Sequence, residues 1–177
     1  IISVETSKGL SDFNKIINQN PWGYRLEMTL FPALLQGDKS IPSIIGQLAN
    51  IAERADSYDA VAIIRGGGGE VGLSSYNNYQ LAKAICIFPL PVLTGIGHST
   101  NETVSELVSY KNAITPSELA DFLLQRFHDF AIPLDQLATR TIDGARRRFE
   151  QEKDALKQLS KALNWQSKQP LQRHRLF

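Results

Sequence analysis

Apolar and polar residues follow two different periods along the first hundred positions of the chain. Short apolar or alternating runs, which are typical of strands, occur at residues 1–5, 24–31, 60–64 and 92–96. Between these runs, apolar residues recur every three or four positions, as on one face of a helix. The order strand, helix, strand, helix, strand, helix, strand predicts an α/β domain with a mainly parallel sheet of about four strands and flanking helices.

Local signals indicate where the predicted helices begin and end. Ser40 is a suitable N-cap for the second helix, which has Pro42 in its first turn. A third helix is predicted over residues 77–88. Cys86 belongs to the apolar pattern of that helix and is expected to be a buried small hydrophobe.

The pattern changes after Pro116. Ser117 can cap a helix that Pro133 breaks or kinks. Apolar residues then keep a loose spacing of three or four between charged ones. We therefore predict an α/β domain at residues 1–116 and a helical extension at residues 117–177, the beginning of a coiled-coil region that needs a partner helix.

Composition narrows the class of protein. The 177 residues contain no apolar run long enough for a membrane span and no signal-peptide pattern. The single cysteine cannot form an internal disulfide, which favours a reducing, cytoplasmic setting. The chain begins at Ile1 in a strand-like run rather than with Met, so we expect it to be a fragment of a longer protein.

The net charge of +1 is unevenly distributed. From Arg140 to the end, ten Lys and Arg accompany four Asp and Glu, a balance of +6, whereas residues 1–139 hold nine and fourteen, a balance of −5. A basic extension on a mildly acidic body indicates a polyanionic partner. A solvated helix face is the alternative.

Arg65 and four glycines at residues 66–69 follow the third predicted strand. Glycine allows a sharp turn or the close approach of a ligand to backbone amides, and an arginine there indicates an anion such as phosphate. A strained strand-to-helix turn is the alternative. Loops after strands of a parallel sheet meet at one edge, so residues 6–12 and 97–102 are expected nearby.

His98 is the strongest candidate for catalysis. It precedes a Ser-Thr pair that can cap the next helix, so a phosphate bound there would lie within reach of its imidazole. The ordinary histidine pKa of about 6.5 suits proton transfer. The alternative is that His98 has a structural role, with its hydrogen bonds made within the turn. His128, on an aromatic helix face, is expected to be a packing residue.

Several other kinds of site do not fit. Residues 67–72 match G-x-G-x-x-G, but they follow the third strand, and no acidic residue about 20 positions further on could hold a ribose. No P-loop lysine and no Gly-x-Ser-x-Gly elbow occur, and three scattered histidines with one cysteine do not make a zinc site. No metal and no cofactor are therefore expected.

Five separated segments carry a family resemblance. They are Phe31-Pro32 with Gln36-Gly37, Ile64-Arg65-Gly66-Gly67-Gly68, Tyr76-Asn77, Gly97-His98-Ser99-Thr100-Asn101 and Thr115-Pro116-Ser117-Glu118. In order and spacing, they resemble the exodeoxyribonuclease VII large subunit over residues 1 to about 124. The basic helical remainder resembles the start of that family's long helical region.

The resemblance implies a nuclease that degrades single-stranded DNA from either end to short 5′-phosphorylated oligonucleotides and tolerates the absence of divalent metal. It also implies one large subunit with several copies of a small helical subunit, and an N-terminal OB-fold that is missing from this chain. The fragment alone, without that grip on DNA, can be inert.

The resemblance also implies roles for single residues. Arg65 would pair with the non-bridging phosphate oxygens, His98 would activate water or protonate the leaving oxygen, and Asp12 would orient or share that work. The predicted catalytic residues are His98, Arg65, Asp12 and Asn101, and the predicted phosphate-binding residues are Arg65, Gly66, Gly67, Gly68, Ser99 and Thr100.

Two positions depart from the family pattern. Asn101 stands where the family usually has Asp, and Val71-Gly72 where it usually has an acidic pair. The carboxylate role is then weaker, moved to Asp12 or Glu102, or lost. A phosphate-binding and subunit-assembly module with little catalysis is the alternative function, and an enzyme acting on a phosphorylated metabolite is a third.

Overall fold

Five parallel strands form one sheet in the structure, a computed structural model that describes residues 1–66, 72–97 and 102–173, with side chains as far as residue 168. The strands are β1 (Ile2–Ser3), β2 (Phe31–Pro32), β3 (Val61–Ile64), β4 (Val92–Gly95) and β5 (Lys111–Ala113). Their order across the sheet is β2-β1-β3-β4-β5. The predicted α/β class is confirmed. β5 was not predicted, because its three residues, Lys-Asn-Ala, carry no strand signal.

Helices cover both faces of this sheet. They are α1 (Lys8–Asn18), α2 (Ser40–Ala52), α3 (Tyr79–Cys86), α4 (Val104–Leu107) and α5 (Pro116–Arg173), with 3₁₀ turns at Ala55–Ser57 and Leu73–Asn77. Side chains of β3 alternate between two cores. Ile63 packs with α2 and α3 on one face, and Ile64 packs with α1 and the start of α5 on the other.

The alternating segment at residues 24–31 is a strand only at its end. Tyr24, Leu26 and Met28 are half-buried and pack against the core that contains Ile64. Backbone bonds to the first strand begin only near Thr29, whose carbonyl accepts from the Ile1 amine at 2.7 Å. The prediction of a strand from residue 24 is wrong, because the alternation reflects which side chains face the core rather than pairing with the sheet.

Two predicted helix caps are also wrong. Ser40 is the first residue of α2 rather than its cap, and its hydroxyl donates to the Gly37 carbonyl at 2.7 Å. Gly37, with φ of 78°, turns the chain three residues before Ser40, so that α2 can start at Ser40. Thr115 rather than Ser117 caps α5, since its Oγ1 accepts from the Glu118 N–H at 3.1 Å.

Three further expectations for the helices need correction. The helix predicted at residues 77–88 is present but shorter, because α3 starts at Tyr79, after its cap Asn78, and ends at Cys86. Cys86 is exposed, because the buried face of α3 passes through Leu81 and Ile85 instead. α5 is not broken at Pro133, where the missing N–H removes a single intrahelical bond.

The described residues fall into two compact units, Ile1–His128 and a second that begins at Asp129. Within the first unit, Nδ1 of His128 lies 3.3 Å from the Tyr24 hydroxyl, and its ring lies 4.5 Å from that of Trp22, centroid to centroid. The predicted packing role of His128 is thus confirmed. None of the described helices combines the length and the apolar character that crossing a membrane requires.

Candidate functional site

The strand order places a crevice between β1 and β3. From β1 the chain leads to β2 on one side, and from β3 it leads to β4 and β5 on the other. In parallel sheets, ligands bind at the carboxyl ends of strands beside such a reversal. Arg65 follows β3 at this point, and its N–H donates to the Gly95 carbonyl at 3.0 Å, extending the ladder by one residue. The sheet therefore holds the backbone of this arginine, which is only 3% exposed.

Arg65 and Gly66 line a cavity of about 430 Å³, called the first cavity below. Its walls come from α1, the end of β3, the end of β4 and the start of α5. The lining residues are Lys8, Gly9, Asp12, Arg65, Gly66, Ile96, Gly97, Thr115, Pro116 and Ser117. Segments that are far apart in sequence therefore converge at one edge of the sheet.

One wall of the first cavity is the N-terminus of α1. The Ser7 side chain caps this helix by accepting from the Leu10 N–H at 3.3 Å. The N–H groups of Lys8 and Gly9 precede the first intrahelical bond and have no partner within the helix. Such amides carry the positive end of the helix dipole and favour an anion.

The α1 backbone meets the glycine loop without intervening side chains. A Cβ atom built on Gly66 would lie 1.9 Å from the Gly9 nitrogen, and one built on Gly9 would lie 2.6 Å from the Gly66 Cα. Neither contact leaves room for a methyl group. Gly66 therefore lets the end of β3 approach the amides of α1 closely, and this is the physical requirement behind the first glycine of the run.

Another wall of the first cavity is the N-terminus of α5. Thr115 caps the helix, Pro116 occupies the first position, and the Glu118 carboxylate accepts from the Ile114 N–H at 2.8 Å. The segment Thr115-Pro116-Ser117-Glu118 is thus a capping device. It presents a second helix N-terminus, with the Ser117 amide, to the same cavity.

Charged side chains complete the first cavity. Lys8 and Arg65 contribute two cations, and Asp12 contributes one carboxylate. Together with two helix N-termini, the balance is positive, which suits an anion such as phosphate. The Asp12 carboxylate beside it is suited to orienting a proton donor or acceptor rather than to binding the anion itself.

Tyr76, in the 3₁₀ turn at Leu73–Asn77, is hydrogen-bonded to the segment that follows β2. The ring is fully buried, and its hydroxyl donates to the Leu35 carbonyl at 3.1 Å. Burial raises the pKa of Tyr76; the Glu106 carboxylate raises it further, and Arg65 partly offsets both effects. The phenol therefore stays protonated and remains a donor.

A set of hydrogen bonds joins the chain after residue 71 to the chain after residue 101. Asn77 Oδ1 accepts from the Val104 N–H at 2.9 Å, and Ser105 Oγ donates to the Tyr76 carbonyl at 2.5 Å. A capping box then holds α4, in which Glu106 Oε2 accepts from the Thr103 N–H at 2.7 Å. The segments that leave the two predicted site loops are thus held against each other.

Three of the sequence-predicted site residues share the first cavity. Asp12, Arg65 and Gly66 all line it. The other predicted site residues lie outside the described residues; they are Gly67, Gly68, His98, Ser99, Thr100 and Asn101. Gly66 and Gly97, which precede the two internal segments outside the described residues, both line the first cavity.

Glu102, the other proposed carboxylate, is engaged elsewhere. Its Oε1 accepts from the Asn112 side-chain amide at 2.9 Å. Among the described side chains, no group of three or more His, Cys, Asp or Glu could hold a metal ion.

Two features of the first cavity were missed in the sequence. Lys8 was not singled out, although it stands in the first turn of a helix after a strand, where a cation beside the N-terminus is notable. The start of α5 was predicted two residues late, with Ser117 as its cap, and was not expected to line this cavity. Its sequence, Thr-Pro-Ser-Glu, carries the capping signal that could have placed a helix N-terminus there.

Residues 1–176 match a family model described as exonuclease VII, large subunit. The exodeoxyribonuclease 7 large subunit of Lactobacillus helveticus (strain DPC 4571) is 32% identical over 137 residues, which are 77% of this chain and 31% of that protein. The protein of the same name from Pediococcus pentosaceus is 32% identical over 146 residues, 82% of this chain and 32% of that protein. The chain thus spans about a third of the length of these curated relatives.

Proposed function

Because the chain belongs to the exonuclease VII large-subunit family, we propose that it hydrolyses phosphodiester bonds in single-stranded DNA as part of such a nuclease. The observation that carries this proposal is the first cavity, where Arg65, Lys8 and two helix N-termini surround a space beside the Asp12 carboxylate. A phosphodiester is an anion that this arrangement suits, and a carboxylate next to it serves proton transfer.

In the proposed reaction, Arg65 and the amides of the glycine loop bind the non-bridging oxygens and stabilise the charge that develops on them. Water adds to phosphorus while the bond from phosphorus to the 3′ oxygen breaks. The products are a 5′-phosphate and a 3′-hydroxyl, as short 5′-phosphorylated oligonucleotides require. His98 either takes the proton from water or delivers one to the leaving oxygen, and Asp12 orients it.

The proposal extends to surroundings and partners. We propose that catalysis does not depend on a divalent metal, since cationic side chains and amides perform the charge stabilisation. Several copies of a small helical subunit would cover α5 beyond residue 129, where Leu156, Leu159 and Leu163 are 61–67% exposed. We place the complex in the cytoplasm, where the exposed thiol of Cys86 would stay reduced.

The alternative function is binding without cleavage. Asn101 supports it, because an amide cannot supply the charge or the base that a carboxylate would. In that case, the first cavity holds a backbone phosphate, and α5 recruits partners.

Nuclease assays separate these two functions. In the complete complex of large and small subunits, with EDTA present, Arg65→Ala and His98→Ala should each lower the cleavage rate of single-stranded DNA by about 10²–10⁴-fold. Binding of the DNA, measured separately, should change little, since many other contacts remain. Near-normal turnover in His98→Ala would remove the histidine from the mechanism.

A matched variant controls for the loss of an arginine. Arg54 is exposed and does not line the first cavity, so Arg54→Ala should cleave at the rate of the unchanged protein. Wild-type complex that binds DNA but does not cleave it in any buffer would favour the binding module.

A further inference from the structure

A second cavity of about 270 Å³ lies beside Arg65 and Gly66. The other lining residues are Val4, Thr6 and Ser7, which follow β1, and residues 34–36, which follow β2. This cavity therefore occupies the β1–β3 crevice, whereas the first cavity is built by α1, β4 and α5. Arg65 and Gly66 are common to both linings.

The lining of the second cavity differs chemically from that of the first. Val4 and Leu34 are 37% and 54% exposed, so apolar side chains face the solvent here. Thr6 and Gln36 add a hydroxyl and an amide, and Arg65 is the lining residue with a full charge. Mixed apolar and hydrogen-bonding walls suit the sugar and base of a nucleotide better than a second phosphate.

The wall that carries Leu34 is held in place from behind. The Leu34 N–H donates to Ser43 Oγ of α2 at 3.0 Å. The next carbonyl, that of Leu35, accepts from the buried Tyr76 hydroxyl at 3.1 Å. A wall fixed by two bonds to different elements is preformed for a ligand.

We propose that the second cavity is a nucleoside subsite, which receives the sugar and base esterified to a phosphate held in the first cavity. Arg65 and Gly66, at the boundary of the two cavities, are placed to contact the phosphate end of such a ligand. The inference rests on the proposed function for the phosphate position but not on cleavage. It explains why two unlike cavities share one arginine.

Equilibrium binding to the 177-residue chain, measured by calorimetry, tests the subsite. Thymidine 5′-monophosphate should bind at least tenfold more tightly than inorganic phosphate, because only the nucleotide fills both cavities. Leu34→Asn removes an apolar contact without changing the charge. It should weaken the affinity for the nucleotide by about tenfold and leave the affinity for inorganic phosphate unchanged. Leu107→Asn, at an exposed leucine of α4 outside both cavities, should change neither.

The outcomes separate this inference from the proposed function. Equal affinity for nucleotide and phosphate, with both lost in Arg65→Ala, would overturn the nucleoside subsite and keep the phosphate site. Binding of neither ligand would overturn the subsite together with the phosphate position. Tighter nucleotide binding that Leu34→Asn does not weaken would also overturn it. Thermal denaturation of Leu34→Asn confirms that the variant is folded.

Discussion

At the scale of single residues, two glycines set the shape of the candidate site. The backbone of α1 and that of the loop after β3 approach each other at Gly9 and Gly66 so closely that no side chain fits between them. Gly9 lies within a helix, where glycine is normally unfavourable by about 0.5–1 kcal/mol relative to alanine. The close contacts with Gly66 and Pro116, rather than helix stability, therefore account for its presence.

Gly9→Ala and Gly46→Ala should shift stability in opposite directions. The methyl group at position 9 would lie 2.6 Å from the Gly66 Cα and should destabilise the protein by about 1–3 kcal/mol. At position 46, in α2, a Cβ meets nothing within 4 Å, so alanine should stabilise by about 0.5–1 kcal/mol. Denaturant unfolding measures both, and a neutral Gly9→Ala would contradict the close approach.

Tyr76 should make stability fall in alkaline solution. Burial raises its pKa above the ordinary value of about 10, so the folded state keeps a proton that the unfolded state loses. The associated stability is complete below pH about 10 and declines as pH rises further. Tyr76→Phe should be about 1 kcal/mol less stable at pH 8, where the Leu35 carbonyl loses its donor.

The difference in the free energy of unfolding between Tyr76→Phe and the unchanged protein should become smaller from pH 10 to pH 11, because only the unchanged protein has the Tyr76 phenol to titrate. Denaturant unfolding at several pH values gives this difference directly. Tyr79→Phe, at a side chain that is 76% exposed, serves as the control and should follow the unchanged protein throughout. A constant gap for Tyr76→Phe would mean that its phenol titrates alike in both states.

At the scale of elements, the site depends on segments held across the sheet edge. Strong apolar runs made β3 and β4 predictable, and the regular stripe on α2 did the same for that helix. Residues 24–31 were wrongly predicted as a strand, because packing of every second side chain against the core produces the same apolar–polar alternation as pairing in a sheet. The sequence of β5 shows no strand pattern. Without β5 in the predicted sheet, the position of the α5 N-terminus in the same cavity as Arg65 could not be predicted. The place of Arg65 after β3, at the edge of the sheet, followed from the third predicted strand and the glycines after it, while its phosphate-binding role stays a prediction.

Asn77 and Asn78 form a matched pair of neighbouring caps. Asn78 Oδ1 accepts from the first amides of α3, and Asn77 Oδ1 accepts from the Val104 N–H of α4. Each alanine variant should lose about 1 kcal/mol of stability. In the complete complex, only Asn77→Ala should also slow cleavage, by about tenfold, because α4 would no longer be held in place and groups at the proposed site would be misplaced.

Asn77→Asp retains an acceptor oxygen for Val104 and should recover most of the rate lost in Asn77→Ala. Rates are to be compared well below the melting temperature of each variant. Equal rates for the alanine variants at 77 and 78 would show that holding α4 does not affect the chemistry.

At the scale of the whole molecule, positive charge is concentrated after residue 139. The charges there are not equivalent. Lys153 and Lys157 are paired with Glu150 and Asp154 at 3.2 and 3.1 Å. Arg146 and Arg147 are exposed and, among the described residues, make no ion pair. The arginines are therefore better placed to meet the phosphates of the proposed DNA substrate.

Removing two arginines should weaken DNA binding more than removing two lysines. Arg146→Gln with Arg147→Gln should reduce the slope of log affinity against log salt by about 1.4, as expected for two lost contacts with a single strand. Lys153→Gln with Lys157→Gln removes the same net charge and should reduce it by less. Fluorescence anisotropy with a labelled oligonucleotide gives the slope for each double variant. Equal slopes for the two variants would mean that only the net charge matters, not which residues carry it.

The contact between Gly9 and Gly66 also has a consequence for how the gene can vary. Where the wall of a pocket consists of main chain, its donors are the same whatever codon specifies the residue, except a proline codon. Substitution of Lys8 or Asp12 therefore changes the side chains that serve the proposed reaction, whereas the backbone amides remain unless proline is introduced. At positions 9 and 66, by contrast, every missense change adds mass, so selection there acts against gain of atoms rather than loss of a chemical group.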